Sequence, residues 1–291
     1  MTEATIAPGP PHIAQVEQAL LALAPALVER RSHGLLLRSA RGLLPAANSA
    51  VPGLPGASAE PAAQRRAAEQ FFATQQQPTQ WLIGQRPANA GLTALLRSAD
   101  YDRVETRIIW LRARRASAGP MPTRSAVTVR QEPDLRIFAE RYGALAGQAG
   151  PALRLQTLRL QALQHHHPVA LLTVNRNEAA GAPVDGCLLA MVAPLARIER
   201  PAEDAESSGR IGLLSDLLVA PHARRAGLGS ALLAAADTWF ARHNCGSVAL
   251  ESAKNNHAAH QLYQRQGFAR AGRWSFYRRP ADPGTASAAV T

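Results

Sequence analysis

Lysine is almost absent from this chain, because Lys254 is the single lysine among 32 basic residues and arginine supplies the remainder. The net charge is +11, and both halves of the sequence share the positive excess, so it is not confined to a tail. The sequence also lacks an aromatic–basic platform and a helix-turn-helix signature. An arginine background spread this evenly does not favour a nucleic acid partner.

Cysteine and long apolar runs are scarce as well. Cys187 and Cys245 lie in or beside apolar runs without a CxxC spacing, which indicates reduced core thiols of a cytoplasmic protein. No apolar run reaches the roughly 18 residues of a membrane span, so we expect no membrane partner. Three consecutive histidines, 165–167, point in different directions and have no second ligand cluster, so we expect an exposed turn and no metal site.

The chain has 291 residues, 46% of them apolar, and is long enough for two domains. The spacing of its apolar positions predicts mixed strands and helices, which indicates an α/β fold. Helices are predicted over 13–28, 62–75, 91–99, 134–142, 151–164, 228–242 and 258–265. Strands are predicted over 34–41, 81–85, 104–112, 126–130, 169–174, 184–192, 211–219, 247–251 and 274–278.

The segment Arg224–Ser230, with the sequence Arg-Arg-Ala-Gly-Leu-Gly-Ser, joins a predicted strand to a predicted helix. The start of a helix offers N–H groups without intrahelical partners and a partial positive charge, and both attract anions. Gly227 and Gly229 remove side chains from the approach to those groups. We therefore predict a phosphate-binding loop at the start of this helix.

Two other kinds of phosphate-binding loop are excluded by their spacing. A dinucleotide-binding fold needs its glycine turn directly at the strand end, whereas Pro221 and two arginines separate Val219 from Gly227. Leu232 also stands where the third glycine of that pattern belongs. A nucleoside-triphosphate loop needs a lysine beside its glycines, and Lys254 lies elsewhere.

Two motifs follow each other in the second half of the chain. Residues 218–229 carry the pattern Arg/Gln-x-x-Gly-x-Gly/Ala after a strand, and residues 256–268 match Asn-x-x-Ala-x-x-Leu-Tyr-x-x-x-Gly-Phe. Together they resemble the GNAT superfamily of acyl-CoA-dependent N-acetyltransferases, and the resemblance covers about 125–279. It implies the GNAT fold, an α/β fold with a mixed, largely antiparallel central sheet flanked by helices.

The resemblance implies that acetyl-CoA is the cosubstrate. The backbone N–H groups of 225–230 would hold its pyrophosphate, and Arg224 and Arg225 would add positive charge. The main chain near Leu218 and Val219 would bind the pantetheine arm as if it were a further strand. The residues implied in cofactor binding are Leu218, Val219, Arg224, Arg225, Ala226, Gly227, Leu228, Gly229, Ser230, Asn256 and Ala259.

The resemblance also implies direct acetyl transfer to a primary amine in a ternary complex. Tyr263 would lie near the sulfur and protonate the departing thiolate. A base often stands at the Ser215 position in the superfamily, and serine cannot remove a proton unaided, so Asp216 and Glu251 are the two candidates. A non-catalytic acyl-CoA sensor or interaction module stays open as the alternative. The acceptor, a small molecule or a peptide, and the oligomeric state are also open.

A weak internal repeat indicates two related units. Residues 95–101 and the strand after them align with residues 262–268 and the last predicted strand. Leu96 takes the place of Tyr263 in this alignment, and the first half has no Arg-x-x-Gly-x-Gly, so the second half should hold the active unit. We predict a degenerate GNAT-like domain over 1–118, a linker over 119–124, a GNAT N-acetyltransferase domain over 125–280 and a disordered tail over 281–291.

Overall fold

The structure is a computed structural model that describes residues 12–40, 47–53, 59–114, 127–176, 183–195 and 209–279. The predicted linker, 119–124, and the predicted tail, 281–291, lie outside these residues. The helices are α1 (Ile13–Leu21), α2 (Pro61–Thr74), α3 (Ala90–Ser98), α4 (Leu135–Ala146), α5 (Pro151–His166), α6 (Leu228–Arg242) and α7 (His257–Arg265). The strands are β1 (Val28–Ser32), β2 (Leu35–Ser39), β3 (Ser49–Pro52), β4 (Gln80–Gly84), β5 (Asp102–Ala113), β6 (Val129–Gln131), β7 (Val169–Val174), β8 (Gly186–Pro194), β9 (Arg210–Val219), β10 (Cys245–Ala253) and β11 (Ala269–Arg278).

Two compact units divide the chain, and each is assembled from segments that are separate in the sequence. Unit 1 contains α1, Trp110–Ser252 and Asn256–Ala271. Unit 2 contains Ala24–Ile109, Ala253–Asn255 and the described residues from Gly272 onward. This division differs from the single boundary drawn from the sequence, because α1 belongs with the second half and most of β11 with the first. That unit 2 is a degenerate GNAT-like domain stays a prediction.

Unit 1 is built on a sheet with the strand order β6-β7-β8-β9-β10. Neighbouring strands are antiparallel from β6 to β9, whereas β9 and β10 are parallel. The helices α1, α4 and α6 pack against these strands, and Gly212 permits the approach of α6 because a Cβ there would lie 2.7 Å from the ring of Phe240. A mixed, largely antiparallel sheet flanked by helices confirms the predicted fold class.

In unit 2, a strand, a helix, a strand, a helix and a strand follow each other as β3, α2, β4, α3 and β5. The second half of the chain has the same succession in β9, α6, β10, α7 and β11. Its strands follow the order β1-β2-β3-β4-β11-β5, and β11 runs antiparallel to β4. Leu96 of α3 is fully buried in an apolar core with Phe72, Trp81 and Tyr101. The apolar position that the repeat alignment sets against Tyr263 is therefore a core position of unit 2.

Three predicted elements are wrong in extent or in kind. The helix predicted over 13–28 ends at Leu21, because Pro25 cannot continue a helix and disfavours helical geometry in the residue before it. Val28–Ser32 forms β1 instead. The strand β3 lies between residues 41 and 62, where no strand is predicted. The predicted turn over 165–167 is also wrong, because α5 continues to His166.

Deletion of β11 should open part of unit 2, because Trp274–Arg278 pair with Gln80–Gly84 and their loss leaves one edge of β4 to solvent. In a chain that ends at Phe268, we expect the β4 amides to exchange with solvent about 100-fold faster, equivalent to roughly 3 kcal/mol of lost protection. The measurement is hydrogen–deuterium exchange read by mass spectrometry. A chain that ends at Arg279 is the control and should keep the protection; equal protection in both chains would contradict the pairing.

Candidate active site

Strand β9 loses its partner on one side halfway along its length. Its pairing with β8 extends as far as Val219. Its pairing with β10, in the described part of the chain, ends at Leu214 and Leu250, although both strands continue. One side of the β9 main chain over residues 215–219 is therefore free of β10, and we call this stretch the open edge. An extended ligand can add to such an edge as a further strand would.

A β-bulge lies at the start of the open edge. The pairing register shifts between Cys187 and Leu189, which sets Asp216 and Leu217 against the single residue Leu188. Asp216 has a φ of +56°, in the left-handed region that residues other than glycine seldom adopt. Because a bulge bends its strand and increases the local twist, β9 turns at the point where its pairing with β10 stops.

The chain passes from β9 into α6 through the predicted phosphate loop. A short 3-10 turn, Pro221–Ala223, comes first, and Arg225 and Gly227 then adopt φ values of +67° and +81°. The guanidinium of Arg224 donates a hydrogen bond from Nε to the carbonyl of Val219, 3.3 Å away. Both arginine side chains are exposed, so they add positive charge at the surface of the loop.

The first turn of α6 offers N–H groups that the described residues do not use. Gly227 is the N-cap and supplies no side chain, and the first helical hydrogen bond runs from Ala231 N to Gly227 O. The N–H groups of Leu228, Gly229 and Ser230 therefore find no acceptor in the described part of the chain. With the partial positive charge of the helix end, they form a site suited to an anion.

The start of α6 lies directly against α7. A Cβ placed on Gly229 would stand 3.0 Å from Cδ2 of Leu262, so only glycine lets the two helices approach this closely without a shift. Leu262 precedes Tyr263, and this contact sets the phosphate loop beside the helix that carries the predicted acid. Gly227 differs, because nothing lies within 4 Å of its would-be Cβ and its positive φ alone favours glycine.

Tyr263 is held in an aromatic cluster. Its ring lies 5.9 Å from that of Trp110 and 6.0 Å from that of Phe268, and Trp110 is fixed by a 2.9 Å hydrogen bond from Nε1 to Oγ of Ser252. Only 6% of the residue is exposed. Burial raises the pKa of Tyr263 to about 12, so the hydroxyl keeps its proton at neutral pH.

Two further predicted site residues follow the last pair of β10 with β9 in the sequence. Glu251 is partly exposed and follows Leu250, the last β10 residue that pairs with β9. Asn256 is the N-cap of α7, and its side-chain oxygen accepts a 3.2 Å hydrogen bond from the N–H of Ala259. This capping bond is a structural role for both Asn256 and Ala259, and their contact with the cofactor stays a prediction.

A carboxylate beside the phosphate loop is matched by two basic side chains. Asp185 accepts a 2.8 Å hydrogen bond from the N–H of Arg176 and a further contact from its guanidinium, and its other oxygen lies 2.9 Å from Nε2 of His222. Burial raises the pKa of Asp185, but the bonds from Arg176 and His222 outweigh it and hold the pKa below its usual value. The negative charge of Asp185 is thus balanced by Arg176.

Side chains that no sequence motif predicts surround Asp216. Arg159 of α5 donates from Nη1 to the Asp216 carboxylate at 2.6 Å and from Nη2 to Oγ of Ser215 at 3.1 Å, and Gln156 adds a 3.2 Å bond to the same carboxylate. Tyr142 of α4 lies close enough that burial, and then the charge of Asp216, raise its pKa to about 12. Asp216, a predicted candidate base, is therefore half of a buried ion pair.

Three further observations concern the described residues alone. No three or more histidine, cysteine, aspartate or glutamate side chains among them are grouped so that they could hold a metal ion. None of their helices combines the length and the apolar character needed to cross a membrane. Cys187 and Cys245 are buried and form no disulfide, as expected of core thiols.

The part of the chain that contains the open edge, the start of α6 and Tyr263 is similar to known proteins. Residues 130–268 match the acetyltransferase (GNAT) family. A curated relative, the uncharacterized N-acetyltransferase YhfO of Bacillus subtilis (strain 168), is 35% identical over 68 residues, which are 23% of this chain. The matched region is 46% of that relative, so the chain aligns with about half of its length.

Solved structures share the fold over more of the chain. A GCN5-related N-acetyltransferase from Kribbella flavida aligns with a TM-score of 0.63 and 18% identity, covering 93% of this chain and 97% of its own. A tandem GNAT protein from the clavulanic acid biosynthesis pathway aligns with a TM-score of 0.56 and 16% identity, covering 80% and 76%. At these identities both likenesses establish the fold alone. Residues 130–268 are thus similar in sequence to the acetyltransferase (GNAT) family, and the chain shares its fold with these solved structures.

Proposed function

We propose that unit 1 transfers an acetyl group from acetyl-CoA to a primary amine of a small molecule or peptide. One observation carries the proposal: the open edge of β9 is followed, after the loop 220–227, by the start of α6, where no side chain caps the helix. An extended pantetheine chain with amide groups suits the main chain of Leu218 and Val219. The pyrophosphate next to it in coenzyme A suits the N–H groups from Arg225 to Ser230, with charge from Arg224.

The corresponding helix of unit 2 is not suited to phosphate. Glu60 stands at the N-cap of α2, and Pro61 follows it as the first helical residue. A carboxylate repels phosphate at this position, and proline has no N–H group to donate. This difference supports the assignment of cofactor binding to unit 1, where Gly227 and Gly229 occupy the start of the helix.

In the proposed reaction, the amine nitrogen attacks the thioester carbonyl carbon and the carbon–sulfur bond breaks. Tyr263 donates its proton to the departing thiolate, since its hydroxyl is protonated at neutral pH. The attacking amine must first lose a proton, since an alkylammonium group has a pKa of about 10. We propose Glu251 for this role, directly or through water, because it is partly exposed and directly follows the last β10 residue that pairs with β9.

The second candidate function is that of a non-catalytic module that binds acyl-CoA. The observation in its favour is Ser215, which stands where the superfamily often carries a base and contacts Arg159 and Asp216 through its hydroxyl. Such a module would bind acetyl-CoA and release no thiol with any amine. The acceptor can be sought by assaying thiol release across amine metabolites, amino acids, aminoglycosides and peptides.

Acetyl-CoA should raise the melting temperature of the full chain. At about 100 times its Kd, it should add roughly 2.7 kcal/mol to the free energy of unfolding, which is on the order of 5–10 °C. Gly227→Glu should abolish this rise, because it sets a carboxylate at the start of α6. The control is Gly147→Glu, since Gly147 also has positive φ and open space around it but ends α4. An unshifted wild-type melting temperature would refute cofactor binding.

Tyr263→Phe should lower kcat by about 100-fold, because the thiolate then leaves without a proton donor. The Kd for acetyl-CoA should stay the same, since the ring that packs against Trp110 is retained. Thiol release gives kcat and calorimetry gives the Kd, with any amine that the screen identifies. Unchanged kcat would remove Tyr263 from the mechanism, and no thiol release from the wild type would favour the binding module.

The titration of Tyr263 should lie well above that of a free tyrosine. The difference in tyrosinate absorbance between wild type and Tyr263→Phe should be flat near pH 10, the ordinary pKa, and emerge toward about 12. Since the folded pKa is raised, this group's contribution to stability is complete below about pH 10 and is lost as the pH rises toward the folded value. A difference signal with its midpoint near pH 10 would show that the hydroxyl is not buried.

A further inference from the structure

Arg159 makes more hydrogen bonds than an ion pair requires. Besides Asp216 and Ser215, it donates from Nε to the carbonyl of Leu23 at 2.8 Å and from Nη1 to Oε1 of Gln156 at 3.3 Å. Its side chain is 9% exposed, and that of Asp216 is 10% exposed. The guanidinium is therefore fixed from several directions, and it fixes the carboxylate and hydroxyl of two consecutive β9 residues in turn.

Arg159 binds the residue of β9 that has a left-handed backbone conformation, Asp216. Asp216 holds a φ of +56°, which an L-amino acid with a Cβ adopts at a cost that glycine does not incur. Its Oδ1 also accepts a hydrogen bond from Oγ of Ser215 at 3.2 Å, and its carbonyl faces Sγ of Cys187 at 3.7 Å. Side chain and carbonyl are thus both held while the backbone is in the left-handed region.

The left-handed residue lies where β9 leaves β10. Pairing with β10 ends at Leu214, two residues before Asp216, and the open edge begins at Ser215. A regular extended conformation at Asp216 would remove the bulge and shift every later residue of β9 by one position against β8. The residues of the open edge, including Leu218 and Val219, would then present different main-chain groups.

We propose that Arg159 is a positioning residue for the cofactor: by binding Asp216 and Ser215 it holds the β9 bulge and keeps the open edge in the register that receives acetyl-CoA. The role of Asp216 is then conformational, and it takes no part in proton transfer. This inference rests on the proposed function, because it assigns Arg159 a part in the same cofactor site. It concerns affinity for the cofactor, so its test needs no acceptor.

The sharpest test compares glycine with alanine at position 216 in an Arg159→Met background. Both double variants lack the buried cation and the carboxylate, and they differ by one methyl group that disfavours positive φ. We expect Arg159→Met with Asp216→Gly to bind acetyl-CoA within about 2-fold of wild type, because glycine needs no side-chain support. We expect the alanine version to bind about 10-fold more weakly, since fewer molecules hold the binding conformation.

The Arg159→Met single variant measures the hydrogen bonds themselves. It leaves Asp216 buried without its cation, and we expect its Kd to rise by about 10-fold as the bulge loses its support. Adding Asp216→Gly should then restore binding. Calorimetry with the full chain gives each Kd. The temperature of the measurement is kept below the first melting transition that circular dichroism detects. If an Arg159→Met variant does not fold, the Kd values of the single variants Asp216→Gly and Asp216→Ala, with Arg159 intact, are compared instead. A weaker affinity of the alanine variant alone then supports the proposal.

Asn244 provides a matched control. It has a φ of +55° in the exposed turn between α6 and β10, so glycine and alanine there repeat the backbone comparison away from the open edge. Both Asn244 variants should bind acetyl-CoA as the wild type does. The proposal is overturned if glycine and alanine at 216 weaken binding equally, or if neither weakens it. A wild type that does not bind acetyl-CoA would refute the proposed function instead.

Discussion

Unit 1 depends on one constraint: β9 cannot remain paired with β10 beyond Leu214. Two strands paired to their ends would satisfy each other's main-chain groups and leave none for a ligand. The bulge at Asp216 lies two residues after this pairing ends, and aspartate is among the few residues with a side chain that adopt such a backbone. The guanidinium of the buried Arg159 beside it contacts Asp216 and Ser215 together through two separate nitrogens.

The anion site at α6 is formed by main-chain groups more than by charged side chains. Gly229 permits the contact with Leu262, and the same contact fixes how far the start of α6 lies from Tyr263. The proposed phosphate site and the proposed proton donor are thereby joined through helix packing. The arginines of the loop add charge at the surface, and Asp185 does not oppose them because Arg176 and His222 bind it.

The sequence predicts unit 1 well where burial produces a clear pattern. The helix 228–242 and the strand 169–174 have the predicted bounds, because apolar faces mark both. β1 gave no such signal, since Val28–Ser32 is charged and largely exposed. The pairing of Arg159 with Asp216 was also hidden, because one arginine among 32 basic residues carries no mark of a partner 57 positions away. The proposed phosphate loop and Tyr263 could be recognised in the sequence because each belongs to a motif with fixed spacing.

The place of β11 in unit 2 also determines when that unit can be completed. Synthesis delivers residues 24–109 long before Trp274, so the edge of β4 that β11 covers waits for its native partner while residues 85–273 are made. Exposed strand edges pair readily with other chains. The interval before the last strand leaves the ribosome is therefore the stage at which this protein is most open to aggregation, and the surroundings of the nascent chain bear on its yield.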